Sequence, residues 1–279
     1  MSPATLAGMG AIALWTTLAL LTRLAAGIPP LQLTAMALAV SGTLGVTWLA
    51  ATGRLGALRQ PPVAWAHGVG GIFGYHALYF LALALAPAVE ANLLNYLWPL
   101  LVVVFAGLLL GMRLTWLHAA GTALAVAGCV LLVGQGASFR GEALAGYLSA
   151  IACAVVWALY SVLARRLAAV PTEAVAGFCA ASAVLALLAH LATEATVLPD
   201  TSALIAALLL GAGPVGAAFF LWDIGMKRGD PRFLGTLAYA TPVASTLLLI
   251  LAGEAPFTLR AVLAALLVAA GGLLAARAR

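Results

Sequence analysis

Four residues, Asn92, Asn95, Tyr96 and Pro99, sit at i, i+3, i+4 and i+7 inside an apolar run that continues to about residue 110. That spacing puts them on one helical face, and the run is long enough to cross a bilayer. An amide costs free energy in hydrocarbon unless it is paired. The face is therefore predicted to look into a helical bundle or a wet cavity. Pro99 removes a backbone donor in mid-helix and permits a kink. Two readings follow: the stripe is the wall of a binding cavity, or its amides only join neighbouring helices.

A second group, His76, Tyr79 and Phe80, shares a face one turn beyond Phe73. A histidine inside an apolar span is a functional candidate. It could bond a substrate carboxylate or carry a proton; the alternative is a satisfied bond between helices or to backbone. On the same segment Gly70 and Gly74 form a small-residue pair predicted to admit a close neighbour. A third group is Trp157, Tyr160 and Ser161. Trp15 and Trp157 fall well inside their apolar runs rather than at the ends, where an interfacial aromatic belt would lie. An indole there is packing or a cavity wall, and its face can stack on a ring or attract an ammonium. Trp98 and Tyr239 are further candidates. Pro99 and Pro242 are candidate hinges.

The acids suggest less. Asp223 precedes Lys227 by four residues, the spacing of a helical ion pair. His190 and Glu194 have the same spacing near a segment end and read as a surface pair, and Glu90 reads as a mouth residue. None is a midplane carboxylate. Coupling through His76 and plain facilitated efflux therefore both stay open. There is no His-Glu-x-x-His, no deep acid pair and no Walker A pattern, so an intramembrane enzyme or an ATPase is not expected. No metal or cofactor is expected. A channel is the remaining alternative class, against which the aromatic stripes argue for an organic ligand.

These residues need elements to hold them, and composition says which. Of 279 residues, 65% are hydrophobic and 8% charged, and the mean hydropathy is +1.14. That is a polytopic, all-α membrane protein, not a soluble domain. Ten apolar segments can be marked, at 4–26, 31–52, 62–86, 90–111, 115–135, 143–164, 172–193, 202–225, 232–252 and 257–276. Gly, Pro and charges punctuate them, and the short connections force neighbours to run antiparallel. The even connections and the C-terminus carry ten Lys and Arg (Arg54, Arg59, Arg113, Arg165, Arg166, Lys227, Arg228, Arg232, Arg277, Arg279). The odd connections carry three (Arg23, Arg140, Arg260). This bias predicts cytoplasmic termini, with Glu90, Glu142, Glu194, Asp200 and Glu254 outside. The basic residues lie in short loops, so the net charge of +5 is no nucleic-acid footprint. Cys129, Cys153 and Cys179 lie in apolar runs and read as small buried hydrophobes.

The halves repeat. Trp15, Arg23 and Pro29 recur 142 positions later as Trp157, Arg165 and Pro171, and Gly71 and Gly74 as Gly213 and Gly216. Tyr96, Pro99, Thr115 and Gly128 recur 143 positions later as Tyr239, Pro242, Thr258 and Gly271. Five spans per copy is an odd number, so the second copy enters from the opposite side. Such inverted repeats put a substrate site near the midplane, at their interface. The copies are read as 1–136 and 141–279.

The aromatic-polar segment before Pro99, the Gly-Met-Arg-Leu turn at 111–114, the glycines Gly121 and Gly128, and Gly253-Glu254 with Gly271-Gly272 resemble the drug/metabolite transporter superfamily, in particular its EamA-domain members. Where that family often has Glu after the turn glycine, this chain has Met112 in the first half. Within the superfamily, Tyr75-His76-Ala-Leu-Tyr79-Phe80 and Asn95-Tyr96-Leu-Trp98-Pro99 look most like exporters of aromatic amino acids. The resemblance implies a secondary transporter working by alternating access in a bacterial-type inner membrane. Its substrate would be a hydrophobic or aromatic amino acid, and its binding residues would include His76, Tyr79, Asn95, Tyr96 and Trp157. Export of drugs, quaternary cations or other small metabolites is the alternative on the same fold. A functional monomer, with the lipid bilayer as surroundings and no nucleic-acid partner, is the expected state.

Overall fold

The structure, a computed structural model, describes residues 1–134, 136–253 and 256–278; Glu254 and Arg279 of the charge argument lie outside the described residues. These residues form ten helical spans long and apolar enough to cross a membrane, and no strand. They are α1 (Pro3–Leu24), α2 (Pro30–Ala51), α3 (Pro62–Leu85), α4 (Ala88–Leu110), α5 (Trp116–Val133), α6 (Gly141–Leu163), α7 (Thr172–Thr193), α8 (Thr201–Arg228), α9 (Pro231–Leu251) and α10 (Leu259–Arg277). All ten expected segments fall on these spans. α8 runs to Arg228, past the expected end at 225, because Lys227 in its last turn is buried and paired with Asp223 rather than solvated.

The starts follow local rules. Pro3, Pro30, Pro62 and Pro231 occupy first-turn positions, where a missing N–H costs nothing. Asp200 accepts from Ala203 N at 2.8 Å, Thr258 from Ala261 N at 3.2 Å, and Asp230 from Arg232 N at 3.0 Å. Burial works to raise the Asp230 carboxyl, but the Arg232 guanidinium and the capped N–H groups outweigh it and hold it below the usual carboxylate range. Gly111, at φ +66°, ends α4 in the left-handed conformation that glycine takes without strain.

Four spans are interrupted. α1 tightens at Thr16–Thr17, where each hydroxyl donates to the carbonyl three residues back. α4 breaks at Tyr96–Leu97 and α9 at Tyr239, each three residues or fewer before a proline. α8 widens into a π-helical turn at Gly213–Ala217 around Pro214.

α1 packs along α8, α2 along α7, α3 along α6 and α5 along α10. The contacts are built from small residues. A Cβ on Gly121 would meet Gly271 O at 2.6 Å, and one on Gly128 would meet Ala264 O at 2.8 Å, so α5 and α10 touch backbone to backbone. Leucines such as Leu44, Leu108, Leu266 and Leu273 are exposed on the outside of the bundle.

Several expectations need correcting. Gly70 has nothing near its missing Cβ and Gly74 only Val156, at 3.8 Å; the close approaches on α3 fall at Gly68, against the Phe178 ring, and Gly71, against Tyr160. The reason is which face of α3 meets α6 and α7. His190 and Glu194 are not a surface pair: His190 is 1% exposed, bonded to Glu194 at 2.8 Å and Thr196 at 2.9 Å. Glu194 in turn accepts from Leu31 N and Gln32 N, at 3.0 and 3.1 Å, which fixes the start of α2. Glu90 is buried and accepts from Ser138 N. The three cysteines are buried and free.

Because α5 and α10 meet through backbone, Gly271→Leu has no space to enter. Overpacking of this kind costs roughly 1–3 kcal/mol, and thermal unfolding in detergent should show a lowered midpoint. Gly70→Ala, with open space around it, should leave the midpoint unchanged.

Candidate functional site

The bundle interior holds a connected set of rings. Trp15 (α1), Trp98 (α4), Trp157 (α6) and Trp222 (α8) are all buried. Trp15 lies 4.9 Å from Trp222, 5.8 Å from Trp157 and 6.1 Å from Trp98, and Trp98 lies 5.9 Å from Trp222, centroid to centroid. Phe219 packs at 5.6 Å from Trp157. These are edge-to-face and tilted geometries, the arrangement that ring quadrupoles favour.

The indole N–H groups of Trp15 and Trp222 find acceptors made available by local structure. In the π-turn of α8, Ala218 N–H reaches back to Gly213 O, bypassing Pro214. The Pro214 carbonyl accepts from Trp15 Nε1 at 2.9 Å. Trp222 Nε1 donates to Ser161 Oγ at 2.9 Å. The break in α4 acts in the same way: Pro99 has no N–H to give, the helix turns at Tyr96–Leu97, and Leu100 N donates to the Tyr239 hydroxyl of α9 at 3.2 Å.

A ladder of rings runs through this set along α3 and α6. His67 stacks on Tyr160 at 5.0 Å, Tyr160 meets Trp157 at 5.2 Å, Trp157 meets Tyr75 at 5.0 Å, and Tyr75 lies parallel to Tyr79 at 6.1 Å. His67 and Tyr79 are twelve residues apart on one helix, a rise of about 18 Å. The ladder therefore crosses more than half of a ~30 Å hydrocarbon layer. Tyr75, His76, Tyr79 and Phe80 are half-buried, whereas Trp15, Trp98, Trp157 and Tyr160 are buried. The accessible part of the ladder is the half away from the chain termini.

Polar groups flank that accessible half. Tyr79 Oη donates to Asn92 Oδ1 at 2.6 Å, and Asn95 Nδ2 to Tyr75 Oη at 3.1 Å. Cys153 Sγ lies 3.4 Å from Asn95 Oδ1. His76 Nδ1 donates to Ile72 O of its own helix at 2.7 Å, so the neutral ring presents Nε2 as an acceptor.

The expected candidates thus divide. His76, Tyr79, Asn95, Trp98, Trp157, Tyr160 and Trp15 join one aromatic set. Tyr239 belongs to a second cluster with Cys129, Val243 and Val268, against which Tyr96 packs; it supports the α4 break. Pro99 and Pro242 follow the two breaks. Sequence reasoning did not single out Trp222, Phe219 and His67. The repeat contains a signal for one of them: Phe80 shifted by 142 positions is Trp222.

Ten apolar spans around an aromatic, hydrogen-bonded interior define a polytopic α-helical membrane protein. The chain belongs to the EamA-like transporter family, whose model matches residues 2–134 and again residues 144–277. It is 52% identical to a protein of Ancylobacter novellus named aromatic amino acid exporter YddG, over 96% of this chain and 95% of that one. A Salmonella typhimurium protein of the same name is 30% identical, over 97% and 96% of the two chains. A solved crystal structure with 50% sequence identity superposes with a TM-score of 0.94, covering 98% of this chain and 96% of that chain.

The Ser161–Trp222 bond gives a direct test of how the aromatic set is held. Ser161→Ala leaves a buried indole N–H without an acceptor, which costs about 1–3 kcal/mol. The melting midpoint in detergent should fall accordingly. Ser149→Ala, which removes only a bond to the carbonyl of its own helix, should change stability by no more than about 0.5 kcal/mol.

Proposed function

We propose that this chain exports hydrophobic and aromatic amino acids across a bacterial-type inner membrane by alternating access. The observation that carries this reading is the ladder from His67 to Tyr79, a continuous series of ring faces along the bundle axis. Ring faces bind apolar and aromatic side chains with little demand on orientation. The names of the relatives point to the same substrate class.

The proposed binding residues are His76, Tyr79, Asn95 and Trp157, with Tyr75 and Trp222 added, and with Trp15, Trp98 and Tyr160 around them. Asn95, Tyr79 and His76 Nε2 meet the substrate's ammonium and carboxylate, and the indoles meet its side chain. Tyr96 and Tyr239 brace the site's outer wall. Few charges near the ladder keep binding loose enough for release.

In this reading residues 1–136 and 141–279 are inverted copies that rock against each other, with the breaks before Pro99 and Pro242 as hinges. The packing supports an internal two-fold. The α3–α6 pairing corresponds, five spans on, to α8 with α1. The Gly121–Gly271 approach maps, on a shift of 143, onto Ala264 and Gly128, which also touch. The termini lie in the cytoplasm, as the basic bias suggests. One chain forms the complete site, and a monomer suffices.

The primary test is transport of labelled amino acids by purified protein in liposomes, with phenylalanine and tryptophan carried and glutamate not. A panel in which no aromatic amino acid moves would remove the substrate assignment. Trp157→Ala should weaken apparent affinity for tryptophan and phenylalanine about two- to tenfold, since an aromatic pair contributes roughly 0.5–1.5 kcal/mol. Transport of leucine, measured per folded protein, should change less; equal losses for all three would make Trp157 a packing residue.

Orientation has its own check. A cytoplasm-only reporter fused after the last residue should be active, and a periplasm-only reporter should be silent. The opposite result would reverse the direction assigned to transport.

A further inference from the structure

Below the ladder, toward the face that carries the termini, lies a charged group that the binding site above does not use. Lys227 Nζ is 2.7 Å from Asp223 Oδ2, one turn back on α8. Both side chains are about 5–6% exposed. Lys227 also donates to Val170 O at 2.8 Å, and Thr172 Oγ1 donates to Asp223 Oδ2 at 2.6 Å. Val170 and Thr172 flank the start of α7, so the pair on α8 is tied to the entry of α7. Asp223, Lys227 and Val170, with Ala64, His67 and Tyr160, line a cavity of about 10 Å³, the size of one water. His67 Nε2 is buried there with no hydrogen-bond partner.

A buried ion pair is a poor way to gain stability. Apolar residues of similar volume are often as stable or more so, whereas losing one partner strands a charge. In a chain this apolar, stability alone does not account for the two charges, and their contacts point to a state in which they are exposed. Each charge is held by its partner and by one group from the entry of α7. When that entry moves away from α8, Val170 O and Thr172 Oγ1 leave together, and one cation, one anion and the free nitrogen of His67 face the opening side by side. The rungs nearest to them are the Tyr160 and Trp157 rings.

We propose that Asp223, Lys227 and His67 form a receiving site for the zwitterionic head group of an amino acid at the face carrying the termini. Lys227 takes the α-carboxylate, Asp223 takes the ammonium, and His67 Nε2 supplies a further polar contact. The substrate side chain lies along Tyr160 and enters the ladder from its closed end. In the closed state the two residues satisfy each other, so the pair is both the seal and the site. The inference rests on the transport reading above.

The test uses membrane vesicles turned inside out, in which the face carrying the termini meets the medium. Labelled phenylalanine uptake is competed with phenylalanine, with phenethylamine, which lacks the carboxylate, and with hydrocinnamate, which lacks the ammonium. The wild type should prefer phenylalanine to either analogue by about tenfold or more, the scale of one charge-assisted hydrogen bond. Lys227→Gln should lower the preference over phenethylamine several-fold and leave that over hydrocinnamate unchanged; Asp223→Asn should do the reverse. If a single variant does not accumulate, the neutral double Asp223→Asn/Lys227→Gln, which strands no charge, should lower both preferences. Variants that slow uptake but keep the wild-type ratios would make the pair a seal only and overturn the inference. Absence of phenylalanine uptake by the wild type would instead overturn the transport reading, and this inference with it.

Discussion

Inside hydrocarbon a polar group without a partner costs several kcal/mol, and that constraint organises this bundle. At two of the four departures from regular helix, a side chain from another span meets the donor or acceptor set free. The α4 turn frees Leu100 N, and Tyr239 of α9 accepts from it. The π-turn of α8 leaves the Pro214 carbonyl for the indole of Trp15 on α1. Both bonds join the first half of the chain to the second. The irregular backbone is therefore also what ties the halves together.

The same constraint explains why the interior is aromatic. Tyrosine and tryptophan fill volume with an apolar body and end in one group that needs one partner. Ser161 serves Trp222, and Asn95 serves Tyr75. A set of this kind can be packed without voids and still present ring faces. Aspartate and lysine in the same place need more partners each, which is why Asp223 and Lys227 occur as a pair with Thr172 and Val170 around them.

The ten spans were legible because hydropathy and punctuation report directly on a bilayer. Much of the interior aromatic set was legible too, since Trp15, Asn95, Trp98 and Trp157 are unusual inside apolar runs. Trp222, Phe219 and His67 were less so. In a membrane protein the lipid face and the packed face are both apolar, so periodicity does not tell which face of α8 meets its neighbours. The glycines of α3 show the same limit: Gly70 and Gly74 have the spacing of a contact pair, but Gly68 and Gly71 carry the contacts. His190 and Glu194 looked like a surface pair because nothing in the sequence announces that Gln32, Thr196 and the start of α2 close over them.

The tryptophan set has an optical consequence. Four of the chain's seven tryptophans lie within one cluster, while Trp48 and Trp116 are exposed at the periphery. Indoles at such separations share excitation energy, and their coupled transitions give circular dichroism bands whose sign and size depend on mutual angle and distance. The cluster draws one ring from each of α1, α4, α6 and α8, two from each half of the chain. Any sliding of the halves changes those angles, so the unlabelled protein carries a spectroscopic gauge of its own conformation at its centre.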